Sequence, residues 1–201
     1  MSQKRIIVEA ISVAVTVIAA ATLLLFPSRD LESKALSKSQ ATPQGPELID
    51  GYKQWTRVNP TPAVFHSRIA IQCSMPTPKE SEMEKGNPHR DKFITVYVNN
   101  TGKHAMLEEK FPTFPKGTVI VKEKLTTRES TSPELLTVMV KREPGYNPKN
   151  GDWEYLALDG AGKNVEARGR LEKCQACHLL VKANDYVSRN YLPYELWKKL
   201  K

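Results

Sequence analysis

Three residues near the C-terminal end, Cys174, Cys177 and His178, constrain this chain more than any other feature. They lie in the stretch CQACH, and the spacing C-x-x-C-H is the signature of covalent c-type haem attachment. Two cysteines three residues apart on a helix or tight loop point to the same side, which suits thioether bonds to the two vinyl groups of one haem. His178 would then bind the iron. A thiol redox pair and a zinc site are the alternatives for the same cysteines.

Both alternatives require features that the sequence lacks. A structural zinc site needs four ligands, but there is no second Cys-x-x-Cys or His-x-x-x-His, and beyond CQACH there are only Cys73 and three scattered histidines. A thioredoxin-like pair normally lies in a parallel strand-helix fold, which the sequence pattern does not indicate. We therefore predict one covalent haem c per chain, held by Cys174 and Cys177, with His178 as the iron ligand. We interpret Cys73 as a buried thiol, and a disulfide between two chains is the alternative.

The N-terminal segment predicts a membrane anchor. Lys4 and Arg5 precede an apolar run over residues 6–26 in which Glu9 is the only charge. At about 1.5 Å per residue, a helix of this length crosses a bilayer core. The run ends in Leu-Leu-Leu-Phe-Pro, whereas a cleavage site needs small residues. We predict that residues 1–27 form an uncleaved anchor that crosses a bacterial cytoplasmic membrane. The rest of the chain would then lie on the periplasmic side. A cleaved signal segment, which would release a soluble periplasmic protein, is the alternative.

The rest of the chain divides into a linker and one domain. Residues 28–50 mix Ser, Lys, Pro and Gln without apolar periodicity, which is typical of a flexible linker. Residues 51–201 follow as the folded domain. The net charge is +8, but arginines and aromatic residues do not interleave as they do in nucleic-acid-binding proteins. We therefore expect no nucleic-acid partner and interpret the positive charge as a solvated surface. Attraction to an anionic membrane surface or an acidic partner is the alternative.

The pattern beyond residue 51 predicts a mainly β (α+β) domain. β-branched and aromatic residues predict strands over residues 93–98, 118–125, 135–140 and 153–158, each bounded by turn residues. A short helix is predicted over residues 101–110. A C-terminal helical segment over residues 171–190 would carry CQACH. Because no helix of crossover length joins the strands, we expect an antiparallel sheet.

Several short stretches follow one another in a characteristic order within residues 50–192. They are Tyr97-Val98-Asn99, FPKGTVIVKE from Phe114, VMVK from Val138, GDWEY from Gly151, and CQACH. In this order they resemble the cytochrome P-460 family, including its relative cytochrome c′-beta. The resemblance implies a mainly β domain, often dimeric, with one five-coordinate haem above a histidine. In the enzymatic members a lysine of the GTV-x-VKE strand is joined covalently to the haem macrocycle, and the matching residue is Lys122, the expected catalytic and cofactor-binding lysine.

Lys122 also has a physical interpretation of its own. Ile120, Lys122 and Lys124 are every second residue of the predicted strand, so their side chains share one face. If that face borders the haem, burial favours the neutral, nucleophilic form of the Lys122 amine. A strand-end lysine that extends into water is the alternative.

One departure from the enzymatic relatives concerns a carboxylate. These relatives carry an acid in the strand before the Gly-x-Trp motif, suited to taking protons from hydroxylamine. Counting back from Gly151 places that position near Thr137, and residues 135–140 contain no acid. Glu134 and Glu143 lie beyond the two ends of the strand. Either would reach the pocket only with a shift of register.

Three functions remain open. The favoured one is oxidation of hydroxylamine or nitric oxide, which requires Lys122 joined to the macrocycle and a redox partner such as another cytochrome. The second is non-enzymatic binding of nitric oxide or carbon monoxide in an apolar pocket. The third is plain electron transfer, which requires a sixth iron ligand. The candidate ligands are the methionines Met75, Met83, Met106 and Met139.

Overall fold

The structure is a computed structural model that describes residues 45–65, 77–85 and 89–200. The predicted anchor, nearly all of the predicted linker, Cys73 and Met75 lie outside the described residues. Within the described ranges, no helix is both long enough and apolar enough to cross a membrane.

A seven-stranded sheet forms the centre of the fold, and all of its pairings are antiparallel. Its strands are β1 (Thr56–Arg57), β2 (Ala63–Phe65), β3 (Lys92–Val98), β4 (Val119–Leu125), β5 (Leu135–Lys141), β6 (Trp153–Asp159) and β7 (Val165–Gly169). The strand order is β1-β3-β4-β5-β6-β7, and β2 also pairs with β3. The predicted antiparallel, mainly β architecture is confirmed, and the four predicted strands correspond to β3, β4, β5 and β6.

Short helices flank the sheet. They are α1 (Pro78–Glu84), α2 (Asn100–Leu107), α3 (Glu172–His178) and α4 (Tyr194–Lys199), with 3-10 turns at Pro46–Ile49, Tyr52–Gln54, Pro148–Asn150 and Leu179–Asn184. The predicted helix over residues 101–110 is α2, which begins where the Asn99 side chain accepts a hydrogen bond from the Gly102 backbone N–H at 3.2 Å.

The continuous helix predicted over residues 171–190 was wrong in its extent. CQACH does lie on a helix, α3, but this helix ends at His178 and a 3-10 segment follows to Asn184. Asp185 and Tyr186 then have φ values of 50° and 63°. A right-handed helix cannot continue through two left-handed residues, so the chain turns back toward the sheet.

The two faces of the sheet pack against different partners. Side chains of alternate strand residues point to opposite faces, and each face has its own apolar cluster. We call the face that carries Ile120, Met139 and Tyr155 the site face, because the C-terminal residues Tyr186, Val187 and Tyr191 pack in the same cluster. The other face carries Val121, Val138 and Leu156 and packs with Ile49 and Tyr52 of the N-terminal turns.

Candidate functional site

The two cysteines of CQACH lie on helix α3. Residues three apart on a helix are neighbours on its surface, so Cys174 and Cys177 lie side by side on α3. Both are partly buried and neither forms a disulfide within the described residues. The spacing that the sequence required for two thioether bonds is therefore realised on a regular helix.

The geometry of His178 is that of a metal-binding imidazole. Its Nδ1 lies 2.6 Å from the backbone carbonyl oxygen of Tyr186. Because a carbonyl only accepts hydrogen bonds, Nδ1 carries the proton and Nε2 keeps a free lone pair. Burial, together with the nearby Lys122, lowers the pKa of His178 to about 3. The ring is therefore neutral at physiological pH, with Nε2 ready to bind a metal.

A small cavity of about 30 Å³ lies between α3 and the site face. Three of the four predicted site residues, Lys122, Cys174 and His178, line it, whereas Cys177 lines a neighbouring surface pocket. The remaining lining residues are mostly apolar: His89, Ile120, Thr137, Val138, Met139, Tyr155 and Leu156.

Lys122 is buried at the wall of this cavity, and the alternative of a lysine extending into water is wrong. Only 7% of the residue is exposed, and its Nζ lies 5.3 Å from the centroid of the Tyr191 ring. Burial lowers the pKa of Lys122 from 10.5 to about 8. A substantial fraction of the amine is then neutral near physiological pH, which makes Lys122 a competent nucleophile.

A second lysine, Lys124, is fully buried on the same strand face. Its Nζ donates a hydrogen bond to Thr137 Oγ1 at 2.9 Å. Burial holds the pKa of Lys124 well below its ordinary value, and the charge of Lys122 acts in the same direction. The alternation that predicted a shared face for Lys122 and Lys124 is therefore confirmed.

The position expected for a distal carboxylate is occupied by Thr137, which lines the cavity as the spacing predicted. Neither neighbouring acid reaches it. Glu134 pairs with Lys92 at 2.5 Å, and Glu143 pairs with Lys116 at 2.7 Å on the surface. β5 and β6 pair without a register shift. No carboxylate is thus present among the described residues that line the cavity.

Tyr155 is the site residue whose role the sequence did not reveal. It is 3% exposed, its ring centroid lies 5.3 Å from that of His178, and its hydroxyl forms no hydrogen bond within the described part of the chain. Burial raises the pKa of Tyr155 well above its ordinary value, so the phenol remains a neutral donor. The signal that was available is strand alternation: Tyr155 lies two residues after Trp153 and shares its face.

These residues fit a c-type haem. Two neighbouring cysteines lie on one helix, a neutral imidazole offers Nε2, and mostly apolar walls surround a buried phenol that forms no hydrogen bond among the described residues. Buried polar groups are almost always hydrogen-bonded, and an oxygen of a bound haem would accept a hydrogen bond from the Tyr155 hydroxyl. Within residues 45–65, 77–85 and 89–200, no three His, Cys, Asp or Glu side chains come close enough together to hold a metal ion by themselves.

The antiparallel sheet and α3, the attachment helix that carries CQACH, together define a mainly β protein with a c-type haem-attachment motif. The profile of the Cytochrome P460 family matches residues 49–189, which is more than half of the chain. The chain therefore belongs to the Cytochrome P460 family, and the resemblance seen in the sequence is confirmed. A comparison with curated proteins found no match.

Proposed function

We propose that the chain holds one haem c through Cys174 and Cys177, with His178 Nε2 on the iron, and that it oxidises hydroxylamine or nitric oxide. The observation that carries this proposal is the buried Lys122 amine, which borders the same cavity as Cys174 and His178. When bound, the haem supplies the redox centre to which the nitrogen compound gives up its electrons.

The chain's own residues orient the iron ligand, enclose the pocket and donate a hydrogen bond. The Tyr186 carbonyl fixes the tautomer and the orientation of His178. Ile120 and Met139 form an apolar wall that limits the access of water. Lys122 is the expected point of attachment to the macrocycle, and Tyr155 offers a hydroxyl proton to an oxygen of the bound group.

Export and partners belong to the same proposal. The apolar run over residues 6–26 supports tethering to the periplasmic side of the membrane. A redox partner cytochrome would accept the electrons, and membership of the family supports a homodimer.

A second candidate, non-enzymatic binding of nitric oxide or carbon monoxide, is favoured by a different observation. Oxidation of hydroxylamine releases protons, and a carboxylate is the group best suited to take them. Thr137 lines the cavity where that acid would lie, and its hydroxyl oxygen already accepts a hydrogen bond from Lys124. A mostly apolar pocket whose described lining contains no carboxylate suits a neutral diatomic gas.

Proteolysis of the haem-loaded full chain separates these two functions. We expect the peptide that contains Lys122 to remain joined, by mass, to the haem peptide that contains Cys174 and Cys177. Lys122→Met should release it. Lys124→Met is the matched control, because Lys124 is buried two residues further along the same face. A wild-type chain whose haem is held by CQACH alone would favour gas binding, and a chain without covalent haem would contradict both functions.

Tyr155→Phe tests whether the phenol contacts the bound haem. In the haem-free chain we expect a gain of about 1 kcal/mol in the free energy of unfolding, because a buried hydroxyl without a partner is removed. In the haem-loaded chain we expect a loss of about the same size, because a hydrogen bond is removed. Denaturant unfolding of both forms measures the change of sign.

Tyr186→Phe is the matched control for Tyr155→Phe. The Tyr186 hydroxyl donates to the Lys149 carbonyl at 3.1 Å, so its removal should cost a similar amount in both forms. If Tyr155→Phe instead changes both forms equally, the phenol has no contact with the haem.

A further inference from the structure

The turn that follows the attachment helix holds an unusual backbone conformation. Asp185 and Tyr186 are consecutive residues with φ values of 50° and 63°, and neither is glycine. Side chains disfavour this left-handed region, and strained residues persist only where the surrounding structure holds them. The contacts that hold this turn therefore point to what it does.

The Asp185 carboxylate is fixed from two directions. Lys141 Nζ donates to its two oxygens at 2.6 and 2.8 Å, and the Phe114 backbone N–H donates to Oδ2 at 2.8 Å. The ion pair is nearly buried, with 12% of the Lys141 side chain and 13% of the Asp185 side chain exposed. A charge-assisted pair in such a site is strong and directional.

The backbone of the turn is fixed as well. Trp153 Nε1 donates to the Asp185 carbonyl at 2.8 Å, and Lys141 Nζ also lies 5.0 Å from the centroid of the Trp153 ring. The Tyr186 ring packs closely over Gly151, where an added Cβ would lie 2.6 Å from Tyr186 Cδ2. The sheet, through β5 and β6, thus determines where residue 186 lies.

These contacts together fix the position of the Tyr186 carbonyl oxygen. The Tyr186 carbonyl accepts from His178 Nδ1 at 2.6 Å, which is shorter than the usual 2.9–3.0 Å for an N–H donor. Lys141 and Asp185 do not line the cavity, and the hydrogen bond at this carbonyl connects their turn to His178.

We propose that the Lys141–Asp185 ion pair is a positioning device that sets the strength of the His178–Tyr186 hydrogen bond and, through it, the electron donation of His178 to the haem iron. The inference rests on the proposed function, because it requires His178 to bind iron. A strong acceptor at Nδ1 makes the imidazole a more basic ligand. A more basic ligand stabilises the oxidised iron and lowers its reduction potential.

Lys141→Met in the haem-loaded full chain tests the proposal. Methionine keeps an unbranched apolar side chain beside Trp153 and removes the cation. We expect the iron–histidine stretching band of the reduced protein to move to lower frequency in resonance Raman spectra. We also expect the midpoint potential to rise, so that the ferrous-to-ferric ratio at the wild-type midpoint increases by about tenfold. Lys141→Arg should restore both values.

A second variant and a control separate positioning from stability. Asp185→Asn also removes the charge pair, keeps a residue that tolerates positive φ, and should shift both readouts in the same direction. Lys116→Met breaks an exposed ion pair with Glu143 and should shift neither.

The outcomes distinguish this inference from the proposed function. Variants that lose stability but keep the wild-type frequency and potential would overturn the inference alone. A wild-type chain that shows no iron–histidine band would overturn the proposed function and the inference together.

Discussion

Replacing Trp153 by alanine is expected to lower the free energy of unfolding by about 3–5 kcal/mol. Trp153 is fully buried, and its ring meets the Phe114 ring edge to face, with 5.6 Å between centroids. The substitution opens a cavity at the centre of the site face. It also removes the donor to the Asp185 carbonyl. Denaturant unfolding followed by circular dichroism measures the loss.

Two other tryptophan variants provide reference values for the loss in the free energy of unfolding. Trp153→Phe keeps an aromatic ring and loses the indole hydrogen bond, so it should cost about 1–3 kcal/mol. Trp197→Ala should cost only about 1 kcal/mol, because Trp197 is 36% exposed and packs on the exposed Tyr194. If Trp153→Ala costs no more than Trp197→Ala, the packing of the site face is not as the structure has it.

The central strands were predictable because each is apolar or alternating over several residues and ends at a turn signal. β7 was missed because its sequence, VEARG, is polar and its residues are exposed or only partly buried. As an edge strand it needs little apolar surface, and its pairing with β6 decides its conformation. β1 and β2 are only two and three residues long, which is too short for a pattern to appear.

The end of the attachment helix was not predictable from local sequence. The turn at Asp185 contains no glycine or proline to indicate it. Its conformation depends on Lys141, Phe114 and Trp153, which lie 32 to 71 positions away along the chain. Such contacts leave no local pattern.

The candidate site also contains some residues that the local sequence predicted and others that it could not. CQACH and the alternation around Lys122 are local patterns, and both led to residues that border one cavity. Counting back from Gly151 also placed Thr137 at the cavity, because β5 and β6 pair in regular register. The role of Tyr155 was not visible, since a buried phenol without a partner is recognised only when its surroundings are known.

Lys122 is expected to make the stability of the haem-free chain depend on pH between about 8 and 10.5. The amine has its ordinary pKa of 10.5 in the unfolded chain and a pKa of about 8 in the folded chain. Between these values the unfolded chain binds more protons, so stability rises with pH through this window. At about 1.4 kcal/mol per pKa unit, the gain is about 3 kcal/mol. Below pH 8 the full cost of burying the charge is present.

Lys122→Met should therefore raise the free energy of unfolding of the haem-free chain by about 3 kcal/mol at pH 7 and by little at pH 10.5. Unfolding measured across this range, relative to wild type, reports the titration of Lys122 together with its effect on the neighbouring Lys124. Lys116→Met, at an exposed lysine, is the control and should change neither value. Equal stability of wild type and Lys122→Met at pH 7 would mean that the amine is solvated.

The same comparison in the haem-loaded chain bears on the choice between the two functions. If the Lys122 nitrogen is bonded to the macrocycle, it no longer titrates as a free amine, and the pH-dependent difference between wild type and Lys122→Met should disappear. If the haem is held by Cys174 and Cys177 alone, a buried lysine beside the haem still titrates and the difference should persist. Disappearance therefore supports oxidation of small nitrogen compounds, and persistence supports gas binding, by a measurement independent of the peptide masses.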